Sequence, residues 1–294
     1  MPKLKIDITP SLQKLDLVVN GLVNTKFMGN YASAFKGQGL EFSDFRSYSP
    51  SDDAGVIDWV ASNRSRKLLV KEYVEERNLN VHFVVDVSSK MLLGSTKKLK
   101  AEYAAELVSS FSNTILRAGD FVGLTMFSDK VIKNILPTNG MKQFHIISEA
   151  LSNLSFYGGE NNFSEVFAYA LKFFDEGSLV IIISDFVNTK NIADALKYTS
   201  KKFDLIGIMV RDPIDISLPD GMGQVMVEDP ATGERLLISP RKLKSNYSRF
   251  AKKQVADLKK EFKIKGADFL ELYTNKSFVE ELVSFFHKRK LEWK

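Results

Sequence analysis

The chain has 294 residues, 44% hydrophobic and 26% charged, with a net charge of +5, three histidines and no cysteine. The missing cysteine excludes disulfides, zinc ribbons, thiol nucleophiles and iron–sulfur clusters, and histidines as scattered as His82, His145 and His287 leave any metal to oxygen ligands: magnesium, manganese or calcium. No apolar run approaches the roughly 20 residues needed to cross a bilayer, and MPKLKIDITP lacks a signal-peptide core, so a cytoplasmic location is expected.

In chain order, Leu12, Leu15, Val18, Val19 and Leu22 recur at helical spacing after Thr9-Pro10 and predict an amphipathic helix over residues 9–23. From Asn24 to Ser65 there is no clear period, only Gly, Ser, Asp and Arg with interspersed aromatics; so long an irregular stretch is expected to be a small folded subdomain or a functional segment. It contains Gly37-Gln38-Gly39-Leu40-Glu41-Phe42, then Arg46-Ser47-Tyr48, Pro50-Ser51-Asp52-Asp53 and Ile57-Asp58-Trp59, followed by Val70-Lys71 and Glu75-Glu76-Arg77. In that order these motifs resemble the signature of the "domain of unknown function 58" family, whose members join such a segment to a von Willebrand factor A-like domain. Two positions depart from it: Ser51 replaces a glycine, and Gly55 replaces an arginine, which weakens any case for phosphate binding here. Asp52, Asp53 and Asp58 are expected to pair with Arg46, Arg64 or Arg66 and to serve a structural purpose.

From Val81 onward strands and helices alternate. Val81–Val85 reads as a strand buried on both faces, with polarity switching abruptly at Asp86. A helix over about 97–116, strands over Phe121–Phe127 and Lys130–Ile135 and a helix over about 141–154 follow, the two strands forming an antiparallel pair at a sheet edge. Next come the loop Gly158-Gly159-Glu160-Asn161-Asn162 and a helix over 164–174. Leu179–Ile183 is a second continuous apolar run, ending in Ser184-Asp185. A helix near 192–199, a strand over 205–210, a helix over about 243–262, a strand over 269–273 and a helix over 278–288 complete the alternation. Gln224–Val227 and Arg235–Ile238 read as an inserted hairpin. The fold class is therefore α/β, a doubly wound, mostly parallel sheet of Rossmann type. Residues 1–79 are expected to form the N-terminal subdomain and 80–294 the von Willebrand A-like domain, with the hairpin insert at about 212–240.

Two carboxylates at strand ends set the candidate site, because ligands of open α/β sheets sit at the carboxyl edge. Were Asp86 and Asp185 about 5 Å apart, their repulsion at an effective dielectric of about 20 would be about 3 kcal/mol, so a cation is required between them. The resemblance supplies one: the metal-ion-dependent adhesion site of von Willebrand A domains, carried over, falls on Asp86, Ser88 and Asp185. Lys90 stands in place of the second serine, and Asn161 (or Glu160, if the loop is shifted) in place of the threonine. Two arrangements follow: Lys90 bridging Asp86 and Asp185 without metal, or magnesium (or manganese or calcium) held by Asp86, Ser88 and Asp185 with Lys90 turned outward.

The resemblance also implies a function, that of a non-enzymatic adaptor for a MoxR-type AAA+ ATPase and its clients, with Lys90, Gly159, Glu160 and Asn161 meeting the partner. One alternative is a magnesium-dependent phosphoryl-transfer enzyme, against which stand the lack of a GxxxxGK[ST] loop and of a histidine placed as base. The other is a nucleic-acid-binding protein, resting on a C-terminal region (241–294) with 15 Lys and Arg against 7 Asp and Glu. There the lysines alternate with apolar residues at helical spacing, which reads more simply as a solvated helix face. No membrane partner is expected.

Overall fold

A computed structural model describes residues 3–7, 40–49, 52–75, 79–187, 189, 192–219, 221, 223–229 and 233–292. The helix expected over 9–23 and the Gly37–Gly39 motif lie outside them. The chain divides into two compact units, Asn24–Asn78 and Met1–Val23 with Leu79–Lys294. The expected boundary at residue 79 thus needs one amendment. The first residues belong with the sheet unit, where Leu4 enters the core and its N–H bonds the Ser152 carbonyl at 2.9 Å.

In the smaller unit β1 (Leu40–Ser47) pairs antiparallel with β2 (Leu69–Glu75) around α1 (Trp59–Ser65). Asp58 caps α1 by accepting the Val60 and Ala61 N–H groups, both at 2.9 Å, and pairs with Lys71 at 2.9 Å rather than with an arginine. Asp52 does take its arginine, in a two-pronged pair with Arg46 at 2.6 and 2.8 Å. These carboxylates are spent on local structure.

The larger unit is built on six strands in the order β10-β7-β6-β3-β4-β5. They are β3 (Asn80–Asp86), β4 (Phe121–Phe127), β5 (Val131–Thr138), β6 (Leu179–Ser184), β7 (Asp204–Arg211) and β10 (Asp268–Tyr273); all neighbours are parallel except β4 with β5. The helices are α2 (Lys100–Arg117), α3 (Met141–Ser152), α4 (Phe163–Phe173), α5 (Ile192–Lys202), α6 (Pro240–Ile264) and α7 (Phe278–Glu292). Alternate residues of each strand feed opposite layers. Phe83, Val85 and Ile183 pack with Leu107, Phe111 and Phe286 on one face, while Val84, Ile182 and Leu205 pack with Phe167, Leu196 and Phe262 on the other. The hairpin, β8 (Val225–Glu228) with β9 (Arg235–Ile238), forms a separate two-stranded sheet between β7 and α6. On α6, Ala251, Val255, Leu258 and Phe262 are buried and the lysines face outward, as the spacing predicts.

One topological feature positions the site. After β3 the chain moves to β4 and β5 on one side, then crosses back to place β6 on the other side of β3. The order reverses between β3 and β6, and in open α/β sheets the carboxyl edge at such a switch point is where ligands sit. Val85 pairs with Ile183, which brings Asp86 level with Ser184 at that edge.

Candidate functional site

Three loops meet there. The loop after β3 carries Asp86 and Ser88, the loop before α4 carries Gly159, Glu160 and Asn161, and the loop after β6 carries Asp185. Backbone bonds lace the first two together: the Ser89 N–H donates to the Gly159 carbonyl at 2.9 Å and the Gly158 N–H to the Val87 carbonyl at 2.8 Å. The adjacent asparagines divide two tasks. Asn162 caps α4 by accepting the Glu165 N–H at 3.3 Å, while Asn161 turns inward.

Asp86 is wholly buried and receives three donors. Its Oδ1 accepts the Ser88 N–H at 2.8 Å; its Oδ2 accepts the Ser184 hydroxyl at 2.6 Å and the Asn161 Nδ2 at 3.1 Å. Burial, and then the charge of Asp185, push its carboxyl above the ordinary range, with the hydrogen bonds opposing. The Asn161 Nδ2 also donates to the Val187 carbonyl at 3.0 Å. Because both of its partners are acceptors, the amide orientation is fixed, and Oδ1 points away from them.

Asp185 lies on a tight turn. Its Oδ1 accepts the Val187 N–H at 3.0 Å, and between them Phe186 holds a left-handed backbone (φ 49°) while its buried ring stacks on Phe163 at 5.4 Å. A left-handed non-glycine costs on the order of 1–3 kcal/mol, tolerated where surrounding packing over-determines it. The other carboxylate oxygen, Oδ2, meets the Lys100 ammonium at 2.7 Å, with each side chain 2% exposed. Lys100 also reaches Asp215 Oδ2 at 3.4 Å. Burial works to lower the lysine, but the two carboxylates outweigh it and hold Lys100 above its usual value.

The cation at this carboxylate is thus a lysine, but not the one the motif offered. Lys90 sits on the 3-10 turn Ser89–Leu92, half-buried and without an ion pair among the described residues, because that turn carries it away from the β6 loop. Lys100 is the first residue of α2, a helix buried along nearly its whole length. Sequence reasoning missed Lys100 and Asp215. The signal was there: Leu107 to Leu116 contains no charged residue, so α2 has no solvent face over that stretch. Gly159 and Glu160 are exposed at the rim.

A family model described as "Protein of unknown function DUF58" matches residues 44–257. The chain belongs to the DUF58 family. A relative, "Uncharacterized protein Rv1480" of Mycobacterium tuberculosis, is 24% identical over 287 residues, covering 96% of this chain and 90% of its own. Among solved structures, the conserved hypothetical protein BatB from Bacteroides thetaiotaomicron aligns with a TM-score of 0.50 at 17% identity, covering 73% of this chain and all of its own. The vWF domain of the type V pili tip protein Mfa5 from Porphyromonas gingivalis aligns with a TM-score of 0.36 at 14% identity, over 74% of this chain and 96% of its own. The fold is that of a von Willebrand A-like DUF58 protein. No helix among its described residues is long and apolar enough to cross a membrane.

The metal that this resemblance implies can be tested against the donors present. The DUF58 chain keeps Asp86, Ser88 and Asp185 at one pocket, but each oxygen of Asp185 already accepts a bond, Oδ1 from a backbone N–H and Oδ2 from the Lys100 ammonium, which neutralises the carboxylate. What remains is one lone pair each on Asp86 Oδ1 and Asp185 Oδ1, together with Ser88 Oγ and Asn161 Oδ1, both buried and without a hydrogen-bond partner. Among the described residues no group of three or more His, Asp or Glu stands ready to hold a metal. A clamp of two carboxylates on one divalent ion does not fit this pocket.

Proposed function

We propose that this DUF58 protein is a non-enzymatic interaction module, and that it binds a MoxR-type AAA+ ATPase through the rim of the Asp86/Asp185 pocket, acting as an adaptor between that ATPase and its clients. The observation that carries the reading is the division of the site into a buried floor and an exposed rim. Asp86, Ser88 and Asp185 are no more than 2% exposed and are held by fixed bonds, so no substrate atom reaches them. They tie together the loops whose tips, Leu93, Gly159, Glu160 and Asn162, face solvent. A rim fixed in this way loses little entropy on binding a partner, which favours recognition over turnover. The histidines support the same reading: His82 is stacked on Phe174 inside β3 and His145 lies against Phe144 on α3, so neither is placed as a base for the pocket. The choice of a MoxR-type ATPase rests on the family resemblance.

The test is affinity purification of the tagged full-length chain from its native cell, alongside Leu93→Asp and Glu160→Lys variants. An AAA+ ATPase enriched with the wild type and lost from the variants is the expected result. Absence of any enriched ATPase overturns the partner; equal enrichment with the variants overturns the rim.

A further inference from the structure

We infer that Lys100 is the resident cation of this pocket and stands in place of the divalent metal, so that the site is assembled without a metal ion. The inference deepens the interaction reading of the same rim and rests on that reading only for its consequence, a partner site indifferent to chelators.

Three observations carry it. First, the Lys100 ammonium sits on Asp185 Oδ2 at 2.7 Å, so the positive charge that this carboxylate needs is already supplied. Second, the lysine is enclosed. It begins α2, where Ala101, Tyr103, Ala104 and Ala105 are all buried, its own side chain is 2% exposed, and its second contact, Asp215 at 3.4 Å, is another acid. Third, the remaining oxygens are few. Magnesium demands close to six oxygens in regular geometry and usually a carboxylate or two. Asp86 Oδ1 and Asp185 Oδ1 each already accept a backbone N–H, from Ser88 and from Val187, and keep one lone pair, beside the neutral Ser88 Oγ and Asn161 Oδ1. Oxygens so largely spent, with Lys100 already neutralising Asp185, suit a bridging water rather than a regular octahedral ion. A doubly charged ion would also face the fixed ammonium across Asp185. The arrangement performs by covalent means what an adhesion-type site does with a diffusible ion: it brings positive charge to the strand ends and fixes the loops around it.

The experiment titrates the full-length wild-type chain, stripped with chelator, with manganese and then magnesium in a calorimeter, and follows its Tm in chelator and in millimolar metal. No saturable heat and an unchanged Tm are expected. Saturable manganese binding that Asp185→Asn abolishes overturns the inference. Lys100→Met supplies the converse. It is expected to melt lower than wild type in chelator and to recover part of the loss when manganese takes the vacated oxygen of Asp185; a variant with wild-type Tm in chelator also overturns it. The wild-type titration decides the matter even if Lys100→Met fails to fold, and since neither measurement involves the ATPase, failure here is distinct from failure to capture that partner.

Discussion

Asp185→Asn removes the charge that Lys100 was buried to meet while leaving the side-chain shape unchanged. At 2.7 Å and an effective dielectric of about 20 the attraction between the two is about 6 kcal/mol before desolvation is subtracted. Breaking a buried pair by removing one partner costs about 3–5 kcal/mol, because the survivor is left uncompensated. Asp215 remains 3.4 Å from Lys100, so Asp185→Asn belongs at the lower end, about 3 kcal/mol. Lys100→Met leaves Asp185 with the Val187 N–H and the like charge of Asp86, so it belongs near the upper end, about 5 kcal/mol. The double variant Lys100→Met/Asp185→Leu replaces the pair with apolar side chains, and such replacements are often neutral or stabilising by about 1–4 kcal/mol. Urea unfolding followed by circular dichroism on wild type, Lys100→Met, Asp185→Leu and the double variant closes the double-mutant cycle, provided the slope of the transition stays constant. Single variants that each cost less than about 1 kcal/mol, the range of an exposed pair, would refute the buried-pair geometry. So would a double variant whose loss equals the sum of the singles.

Two further predictions rest on packing and protonation elsewhere in the sheet. His82, stacked on Phe174 at 4.0 Å with neither ring nitrogen bonded, is pushed by burial from 6.5 to about 4. The unfolded chain therefore takes up this proton first, and stability falls as pH drops from about 6.5 to about 4, by on the order of 3 kcal/mol; urea midpoints across that window should flatten in His82→Leu, and an unchanged slope would contradict the burial. Gly207, in the centre of β7, lies under the Phe262 ring, and a Cβ there would sit 2.4 Å from Phe262 Cε1. Gly207→Ala should cost about 1–3 kcal/mol by overpacking, read as a lowered Tm; a neutral result would mean that α6 is free to shift.

The fold was legible because its central strands announce themselves. NVHFVVD and LVIIIS are mostly apolar without alternation, short and rich in β-branched residues, as a strand covered on both faces is, and the polar residue ending each run marks the carboxyl edge. Electrostatics gave the rest of the site in outline: two carboxylates at that edge need a cation. Which cation was not legible from local spacing. Lys90 lies four residues from Asp86, and nearness in sequence invites pairing, but Lys90 is taken up in the Ser89–Leu92 3-10 turn and makes no ion pair among the described residues. Lys100 stands in a run with Lys97 and Lys98 that reads as a solvated helix start, and only the uncharged stretch from Leu107 to Leu116 reveals that the helix behind it is enclosed. Its second carboxylate, Asp215, comes from a 3-10 turn after β7 that no periodic pattern marks. Ser51 and the 9–23 helix fall outside the described residues, and nothing in the structure bears on them.

The position of Lys100 is itself an argument about what the pocket is for. A cation in the first turn of a helix faces the positive end of the macrodipole, at a cost of about 0.3–1 kcal/mol, and taking an ammonium out of water costs several kcal/mol more. Nearby, Asp86 is buried with its carboxyl raised, and Phe186 holds a left-handed backbone. Each of these is unfavourable alone, and all three meet at the carboxyl ends of β3 and β6. A chain selected only for stability would place an apolar side chain at each position, since a well-packed core needs no ion pair. What the charged arrangement gives instead is directionality. The Asp86 and Asp185 oxygens accept from the Ser88 and Val187 N–H groups, from Ser184, Asn161 and Lys100, and so fix three loops by bonds whose angles matter, where hydrophobic contact would fix only their depth. Stability is given up at the carboxyl ends of β3 and β6, and the three loops there gain a geometry set by directed bonds, which is what the proposed partner would need.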